Sequence, residues 1–442
     1  TEELFDNTGL ITITGGAQSY LKIRDASGGA GVEVGDITMT TDESLTLYAA
    51  VYDADNNYLQ DVSVDWTNTG NLDAVSSSGS SFTFDPSTIS TTGTISISSG
   101  SLVGDATGTI TVNGGNQSYL KIRDASSGAG VEVGDITMTT DESLTLYAAV
   151  YDADNNYLQD ISVDWSSSGN LEDISNNGTS YIYSPLNAGT IGTIIISSGS
   201  LIGDATGTIT VNGGVQSYLK IRDASGGGGS EVGDVTMTTD ESLTLYAAVY
   251  DADNNYLQDM NVNWSTSGDL EDINLFGNSI LFEPELAFSS GTIIISSSSL
   301  IGDATGTITV NVGVQSYLKI RDASGGGGSE VGDITMNTDE SLTLYTAIYD
   351  SDGNYLSSGS VNWFSTGSLE QVTASPVGQI TFSPSLAQSA GQIVISSGSL
   401  VGDSTGTITV NGGAQSFLKI RDASGGAGVE VGDITMTTDE SL

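Results

Sequence analysis

Residues 44–66 read SLTLYAAVYDADNNYLQDVSVDW. In residues 45–52 every second residue is Leu, Ala or Val, beginning at Leu45. This alternation predicts a β-strand that buries these side chains on one face and has Tyr48 and Tyr52 on the opposite, outward face. Residues 53–57 are rich in Asp and Asn, which is typical of a tight turn. Residues 62–66 alternate again and end in Trp66, so a second strand should bury Val, Val and Trp.

This stretch belongs to a segment that is repeated through the chain. The hexapeptide KIRDAS begins at Lys22, Lys121, Lys220, Lys319 and Lys419, at steps of 99 or 100 residues. Solenoid repeats are roughly 20–50 residues long, whereas one small domain has about 100–150. The sequence therefore predicts four domains, repeats 1 to 4, at residues 15–113, 114–212, 213–311 and 312–411.

The ends carry partial copies. Residues 1–14 align with the last strand of a repeat and are interpreted as the last strand of a preceding or exchanged domain, and residues 412–442 as an incomplete fifth repeat. Two explanations stay open. The sequence is a window from a longer repeat protein, or the N-terminal strand completes another subunit by donor-strand exchange.

Each repeat is expected to contain about seven short strands with turn residues between them, and no helical period is present. This indicates an all-β fold built of antiparallel β-sandwiches. The alternating strand, the Asp/Asn turn, the strand that ends in Trp66 and the closing strand 108–112 resemble the bacterial immunoglobulin-like domains found in tandem in invasin- and intimin-type surface proteins. The resemblance implies tandem immunoglobulin-like sandwiches of an extracellular or cell-surface protein. It implies no ligand.

The connection between repeats is short, as in residues 112–118. Such a linker cannot act as a free tether, so we expect an elongated, fairly stiff array. A flexible chain with glycine hinges is the alternative.

Composition narrows the functional classes. The chain has 55 acidic and 10 basic residues, a formal charge of −45, which disfavours nucleic acid and anionic lipid as partners. It has no His and no Cys, so the usual zinc ligands and nucleophile pairs are absent. The apolar runs are too short to span a membrane. We expect no enzymatic activity.

The Asp/Asn turn has the start of a calcium-loop spacing, with oxygen-bearing side chains at positions 1, 3, 5 and 9. It lacks the glycine at position 6 and the glutamate at position 12 of an EF-hand. A plain hairpin turn is the competing interpretation, because Gly353 replaces Asn56 in repeat 4 and a positive φ would accept both residues. A junction site at Asp25, Glu33, Asp36 and Asp105 is a further possibility, and Ca²⁺ is the one cofactor considered. The candidate metal ligands are Asp53, Asp55, Asn57, Asp61, Asp152, Asp154, Asn156, Asp160, Asp251, Asp253, Asn255 and Asp259.

All ten basic residues occur as Lys-x-Arg on the first strand of each copy, on an outward face shared with Tyr20. On an acidic chain such a strip would suit docking of an acidic neighbour. Pairing with Asp or Glu inside the same domain is the simpler alternative. The candidate interface residues are Tyr20, Lys22, Arg24, Lys121, Arg123, Lys220, Arg222, Lys319 and Arg321.

Two functions fit these observations. The first is an extracellular structural protein that forms a rod, fibre or surface-layer element and self-associates laterally or end to end into a filament. The second is the stalk of a cell-surface adhesin, which binds host or cell-surface ligands weakly and multivalently or carries a tip outside this sequence.

Overall fold

The computed structural model describes residues 9–438, 440 and 441. They group into two compact units. One unit runs to residue 215 and takes in residues 251–255, and the other comprises residues 216–250 and those from 256 onward. Repeats 1 and 2 lie in the first unit and repeat 4 in the second, whereas repeat 3 gives one loop to the first unit. The described residues contain strands and no helix.

Repeats 1 and 2 each contain eleven strands. Those of repeat 1 are β1 (Gln18–Arg24), β2 (Ile37–Thr40), β3 (Leu45–Asp53), β4 (Tyr58–Asp61), β5 (Val64–Asn68), β6 (Ser76–Gly79), β7 (Ser81–Phe84), β8 (Thr91–Gly93), β9 (Ile95–Ser98), β10 (Asp105–Ala106) and β11 (Ile110–Asn113). Those of repeat 2 are β12 (Tyr119–Arg123), β13 (Ile136–Thr139), β14 (Leu144–Tyr151), β15 (Tyr157–Asp160), β16 (Val163–Ser167), β17 (Ser175–Gly178), β18 (Ser180–Tyr183), β19 (Thr190–Gly192), β20 (Ile194–Ser197), β21 (Asp204–Ala205) and β22 (Ile209–Asn212).

Repeats 3 and 4 have the same eleven strands in the same order. Those of repeat 3 are β23 (Tyr218–Arg222), β24 (Val235–Thr238), β25 (Leu243–Tyr250), β26 (Tyr256–Asp259), β27 (Val262–Thr266), β28 (Asn274–Gly277), β29 (Ser279–Phe282), β30 (Ser289–Gly291), β31 (Ile293–Ser296), β32 (Asp303–Ala304) and β33 (Ile308–Asn311). Those of repeat 4 are β34 (Tyr317–Arg321), β35 (Ile334–Asn337), β36 (Leu342–Tyr349), β37 (Tyr355–Ser357), β38 (Val361–Ser365), β39 (Thr373–Val377), β40 (Gln379–Phe382), β41 (Ser389–Gly391), β42 (Ile393–Ser396), β43 (Asp403–Ser404) and β44 (Ile408–Asn411).

Each repeat is a two-layer sandwich. In repeat 1, one layer has β3 at its centre, paired with β1 on one side and with β4 and β7 on the other. The second layer runs β6-β5-β9-β10, and β8 and β11 continue β9 and β10 to pair with one another. These pairs are antiparallel, which confirms the predicted sandwich.

One strand pair departs from that prediction. β2 pairs with β11 in parallel, with Ile37 opposite Ile110 and Met39 opposite Val112. The chain leaves β1 in the first layer and crosses through the glycine-rich loop to the second, so β2 joins the edge of that layer that lies beside β1. Residues 37–40 are too few and too polar to predict a strand from periodicity.

Every repeat has its own apolar core. In repeat 1 the core includes Leu21, Leu47, Trp66 and Ile95, and each of the four clusters draws its members from one repeat only. Trp66 is 1% exposed, and its indole Nε1–H donates to the carbonyl oxygen of Gly79 at 3.0 Å. Since a buried polar group must be paired, this bond lets the largest side chain occupy the centre of the sandwich.

The outward face of β3 is less exposed than the sequence suggested. Tyr52 points away from the core, yet it is only 5% exposed. The Tyr20 ring stacks on it with centroids 5.8 Å apart, and the Tyr58 ring meets it edge-on at 5.9 Å. Aromatic neighbours on β1 and β4 therefore cover this face.

The partial copies contain no strand within the described residues. Residues 1–8 lie outside the described residues, so the interpretation of residues 1–14 as a last strand can be compared with the structure only from residue 9. There the side chains of Leu10 and Ile13 are exposed. In the fifth copy Leu418 and Ile420 are exposed, whereas their counterparts Leu21 and Ile23 lie in the core of repeat 1. The predicted domain boundaries stay a prediction.

Candidate functional site

The Asp/Asn turn after the central strand is held by its first carboxylate. Asp53 Oδ1 accepts from the backbone N–H groups of Asp55 (3.1 Å) and Asn57 (2.9 Å). The side-chain amide of Asn57 donates to both carboxylate oxygens. Asn56 has φ 69°, and its counterparts Asn155, Asn254 and Gly353 have φ 67°, 70° and 89°. The positive φ predicted from the Asn-to-Gly exchange is confirmed.

The same turn in repeat 2 binds repeat 1. The hydroxyl of Thr41 donates to Asp152 Oδ2 at 2.9 Å, and the linker N–H of Gly115 donates to the same oxygen at 3.3 Å. Asn156 Nδ2 donates to the carbonyl oxygen of Ser87 at 2.8 Å. The side chains of Thr41 and Asp152 are 5% and 0% exposed. A turn that the sequence presents as a hairpin is therefore a docking element.

This junction recurs. Thr140 donates to Asp251 at 2.9 Å, both in the first unit, and Thr239 donates to Asp350 at 3.0 Å, both in the second. The amide of Asn255 likewise donates to the carbonyl oxygen of Leu186 at 2.8 Å. Assignment of residues 251–255 to the first unit follows from these contacts.

A second carboxylate fixes the linker. Asp42 Oδ2 accepts from the backbone N–H of Asn116 at 2.6 Å, and Asp141 accepts from that of Val215 at 2.6 Å. A Cβ atom added to Gly115 would lie 2.4 Å from Asp42 Oδ1, so any side chain there would push this carboxylate away from the linker. Glycine therefore lets Asp42 keep its hydrogen bond to the linker.

The electrostatics of the junction favour ionised carboxylates. Burial acts to raise the pKa of Asp152, but hydrogen bonds from Asn156 and Thr41 outweigh it, so the pKa lies below its ordinary value. The pKa values of Asp251 and Asp350 are lowered against burial in the same way. In repeat 1, the N–H of Gly16 and those of Asn57 lower the pKa of Asp53 to about 2.

A carboxylate inside the sandwiches of repeats 1 to 3 has a raised pKa instead. Asp105 Oδ2 accepts from the backbone N–H of Ile23 at 2.7 Å, and burial raises the pKa of Asp105 despite that bond. Burial raises the pKa of Asp204 and Asp303 for the same reason. Protonation of Asp152 therefore weakens a junction, whereas protonation of Asp105, Asp204 or Asp303 does not destabilise the sandwich that contains it.

The candidate calcium ligands are only partly brought together. Asp53 and Asn57 meet, but Asn57 presents N–H donors, and Asp55 contributes its backbone N–H. Asp61 lies apart and accepts from Gly28 N–H and the Tyr58 hydroxyl. The later copies are arranged alike, with Asp154 and Asp253 donating backbone N–H groups and Asp160 and Asp259 accepting from loop N–H groups.

The alternative acidic set at the base of repeat 1 is also dispersed. Asp25 accepts from Val32 N–H, Asp36 from Thr109 N–H and Asp105 from Ile23 N–H, whereas Glu33 pairs with Lys22. Over residues 9–438, 440 and 441, no group of three acidic side chains is placed to hold a metal ion. Calcium binding stays a prediction.

The Lys-x-Arg strip is engaged within its own repeat. Lys22 Nζ lies 2.9 Å from Glu33 and 5.6 Å from the centroid of the Tyr52 ring. Arg24 donates to the carbonyl oxygens of Gly29, Ala30 and Gly31 in the loop that follows β1. The lysine pairs recur at 3.1, 2.9 and 2.8 Å for Lys121–Glu132, Lys220–Glu231 and Lys319–Glu330. The arginines Arg123, Arg222 and Arg321 also donate to their own loops. Lateral docking through this strip stays a prediction.

Neither a protein-family model nor a curated protein matches this chain. It is similar to solved immunoglobulin-domain arrays. One is domains 3–5 of Drosophila OTK, with 12% identity, TM-score 0.24, and 67% of this chain and 100% of that chain covered. Another is the N-terminal four domains of Dscam1, with 7% identity, TM-score 0.22, and 90% and 100% covered. A third is the Escherichia coli adhesin FdeC, with 14% identity, TM-score 0.29, and 67% and 98% covered.

At this level of similarity the fold assignment depends on the strand order itself. That order defines the chain as a tandem array of immunoglobulin-like β-sandwiches. No helix in the described part of the chain is long and apolar enough to cross a membrane.

Sequence reasoning missed Thr41 and Asp42 as junction residues. A signal was present, because Thr-Asp-Glu-Ser precedes the central strand at residues 41, 140, 239 and 338. The sequence did not show what this segment contacts, because its partner turn lies in the next copy, over a hundred residues away.

Proposed function

We propose that this protein is an extracellular structural repeat protein, a stalk or fibre element in which each repeat is held to the turn of the next. The observation that carries the proposal is the buried hydrogen bond from Thr41 to Asp152, which recurs at Thr140–Asp251 and Thr239–Asp350. Identical contacts at successive steps suit a protein that maintains distance and direction.

The physical argument is the free energy lost when a buried carboxylate at the junction lacks its hydrogen-bond donors. A buried carboxylate is tolerated only when it is paired and hydrogen-bonded, so Asp152 stabilises the arrangement in which Thr41 and Gly115 both donate to it. Several directional bonds across one short linker restrict hinge motion far more than a linker of glycines alone. This favours the stiff array over the flexible one.

The charge supports an extracellular setting. A formal charge of −45 opposes compaction at low ionic strength, and salt or divalent cations screen it. Self-association into a filament is the finer part of the proposal. The stalk of a cell-surface adhesin would use the same junctions and would also need a surface that binds a partner.

Negative-stain images and small-angle X-ray scattering of the full chain test the proposal. The wild type should show a narrow distribution of angles between successive repeats. A triple variant, Asp152→Ser, Asp251→Ser and Asp350→Ser, should broaden it. The matched control is Asp154→Ser, Asp253→Ser and Asp352→Ser, which removes the same charge from exposed positions of the same turns.

Freely variable angles in the wild type would refute the structural role. The same images separate the two functions. Regular fibres formed by the protein alone would favour self-assembly, and monomers that coat cells would favour an adhesin stalk.

A further inference from the structure

Edge strand β28 of repeat 3 differs from its counterparts. It reads NLFG, whereas the same strand reads SSSG in repeat 1, SNNG in repeat 2 and TASPV in repeat 4. Leu275 and Phe276 are 54% and 70% exposed. Large apolar side chains on an exposed strand mark a surface that gains stability when another chain covers it.

The backbone at this position is also open. β28 ends its sheet, whose order is β28-β27-β31-β32, and no strand of the described residues pairs with its outer edge. The same edge is polar in repeats 1 and 2, and in repeat 4 it contains Pro376, which has no N–H to donate. Polar residues and proline are the usual protection of an edge strand, and in repeat 3 Leu275 and Phe276 stand in their place.

Carboxylates cluster beside the loop that follows β29. A cavity of about 270 Å³ lies there, and its acidic lining residues are Asp240, Glu241, Glu283, Glu285 and Asp352. The backbone N–H of Glu285 donates to Glu271 Oε2 at 3.1 Å, so the loop that lines the cavity contacts the segment that leads into β28. The loop that supplies Glu283 and Glu285 contains one carboxylate or none in the other repeats, at residues 85–87, 184–186 and 383–385.

We propose that β28, together with the loop that follows β29, binds an extended strand of a partner protein that has apolar side chains and a basic end. The partner strand pairs with the free edge of β28 and sets apolar groups against Leu275 on one face of the sheet and Phe276 on the other. Its arginine or lysine enters the carboxylate-lined cavity. Main-chain bonds supply affinity in such strand addition, and side chains supply selectivity. A basic group relieves the repulsion among the clustered carboxylates, whereas a second copy of this acidic chain would add to it.

This inference goes beyond the structural role, because it assigns one repeat a binding surface that the others lack. The probe is a fluorescent peptide of valine and isoleucine that ends in two arginines, titrated with the full chain by anisotropy. The control peptide ends in two glutamates. Two double variants report on the two parts of the surface. Leu275→Ser with Phe276→Ser copies repeat 1, and Glu283→Ser with Glu285→Ser copies repeat 4.

The arginine peptide should bind with one site per chain, at least tenfold more tightly than the glutamate peptide. Each double variant should weaken it at least tenfold, and the second should also reduce the dependence on salt. Both variants place residues that already occur at these positions in other repeats, and an unchanged melting temperature shows that they fold. Absence of binding, or equal binding by the first variant, overturns the proposal. So does self-association of the wild type that the first variant abolishes, since a second copy would then occupy the edge.

Discussion

Replacing Thr41 by valine removes one hydrogen bond between repeats and little else. Valine has nearly the shape of threonine, so the packing of this 5% exposed side chain is kept while its hydroxyl is lost. Asp152 then lacks the Thr41 donor but keeps the N–H groups of Asn156 and Gly115. The variant therefore isolates the contribution of the bond across the junction.

The size of the effect follows from the charge of the acceptor. A hydrogen bond to a charged group contributes a net of about 1.5–3 kcal/mol. Since about 1.4 kcal/mol corresponds to a factor of ten, opening of this junction should become roughly ten to a hundred times more frequent. The core of repeat 1 contains neither residue of the bond, so its global stability should change much less.

Hydrogen–deuterium exchange with mass spectrometry measures this opening. The turn sequences are identical in repeats 1 to 3, so peptides that contain only the turn cannot be told apart by mass. The linkers differ, reading NGGNQS at residues 113–118, NGGVQS at 212–217 and NVGVQS at 311–316. Exchange should accelerate in residues 113–118 of the Thr41→Val protein, and the other two linkers should be unaffected.

A control variant exists in the same chain. Thr338 occupies the same position in repeat 4, where its oxygen accepts from the N–H of Gly413 and no turn of a following repeat binds it within the described residues. Thr338→Val should leave all three linkers unchanged. Unchanged exchange in residues 113–118 of the Thr41→Val protein, or equal acceleration in all three linkers, would refute the reasoning.

Three further outcomes are expected. The pKa values of Asp152, Asp251 and Asp350 lie below the unfolded value of about 3.9, so their stabilisation is complete above that value and is lost as the pH falls through the lower folded-state pKa. Linker exchange, corrected for its intrinsic pH dependence, should therefore accelerate as the pH falls below about 4. The opposite sign applies to Asp105, Asp204 and Asp303, whose pKa burial raises, so protonation of these three does not destabilise the sandwiches that contain them. At Asn155, which has φ 67°, glycine should leave the melting temperature nearly unchanged and valine should cost about 1–2 kcal/mol; equal effects would contradict the role of φ. Because both oxygens of Asp152 already accept hydrogen bonds, a calcium chelator should leave the melting temperature unchanged, and a rise with added calcium would instead indicate a metal site.

The fold could be predicted because its signals are local. Alternation in residues 45–52 indicated the central strand, and the same alternation in residues 62–66 predicted that Trp66 is buried. β2 could not be predicted, because its place in the sheet depends on a parallel partner, β11, more than seventy residues later. The burial of Tyr52 was missed for a similar reason, since rings from β1 and β4 cover it.

The junction was beyond sequence reasoning because each half of it has a sufficient local explanation. Asp152 accepts hydrogen bonds within its own turn, and Asp42 lies in the acidic turn that precedes β3. Only the docking of one copy on the next shows that these carboxylates also bind Thr41 and the linker. A repeat period identifies the domains, but it does not show which residues of neighbouring copies meet.

Comparison among the four copies separates two physical demands on each repeat. The residues that meet at the junction are constant, as in the threonine and aspartate pairs that recur at the same spacing. The strand at the other edge of the sheet varies from SSSG to NLFG, and its side chains take no part in those bonds. The loop that supplies Glu285 meets the junction through its backbone, since the carbonyl oxygen of Glu285 accepts from Asn354. The junction therefore restricts the backbone of this loop and leaves its side chains, and those of β28, able to vary. A single repeat can thus acquire an apolar, acidic surface without altering the geometry that holds the array.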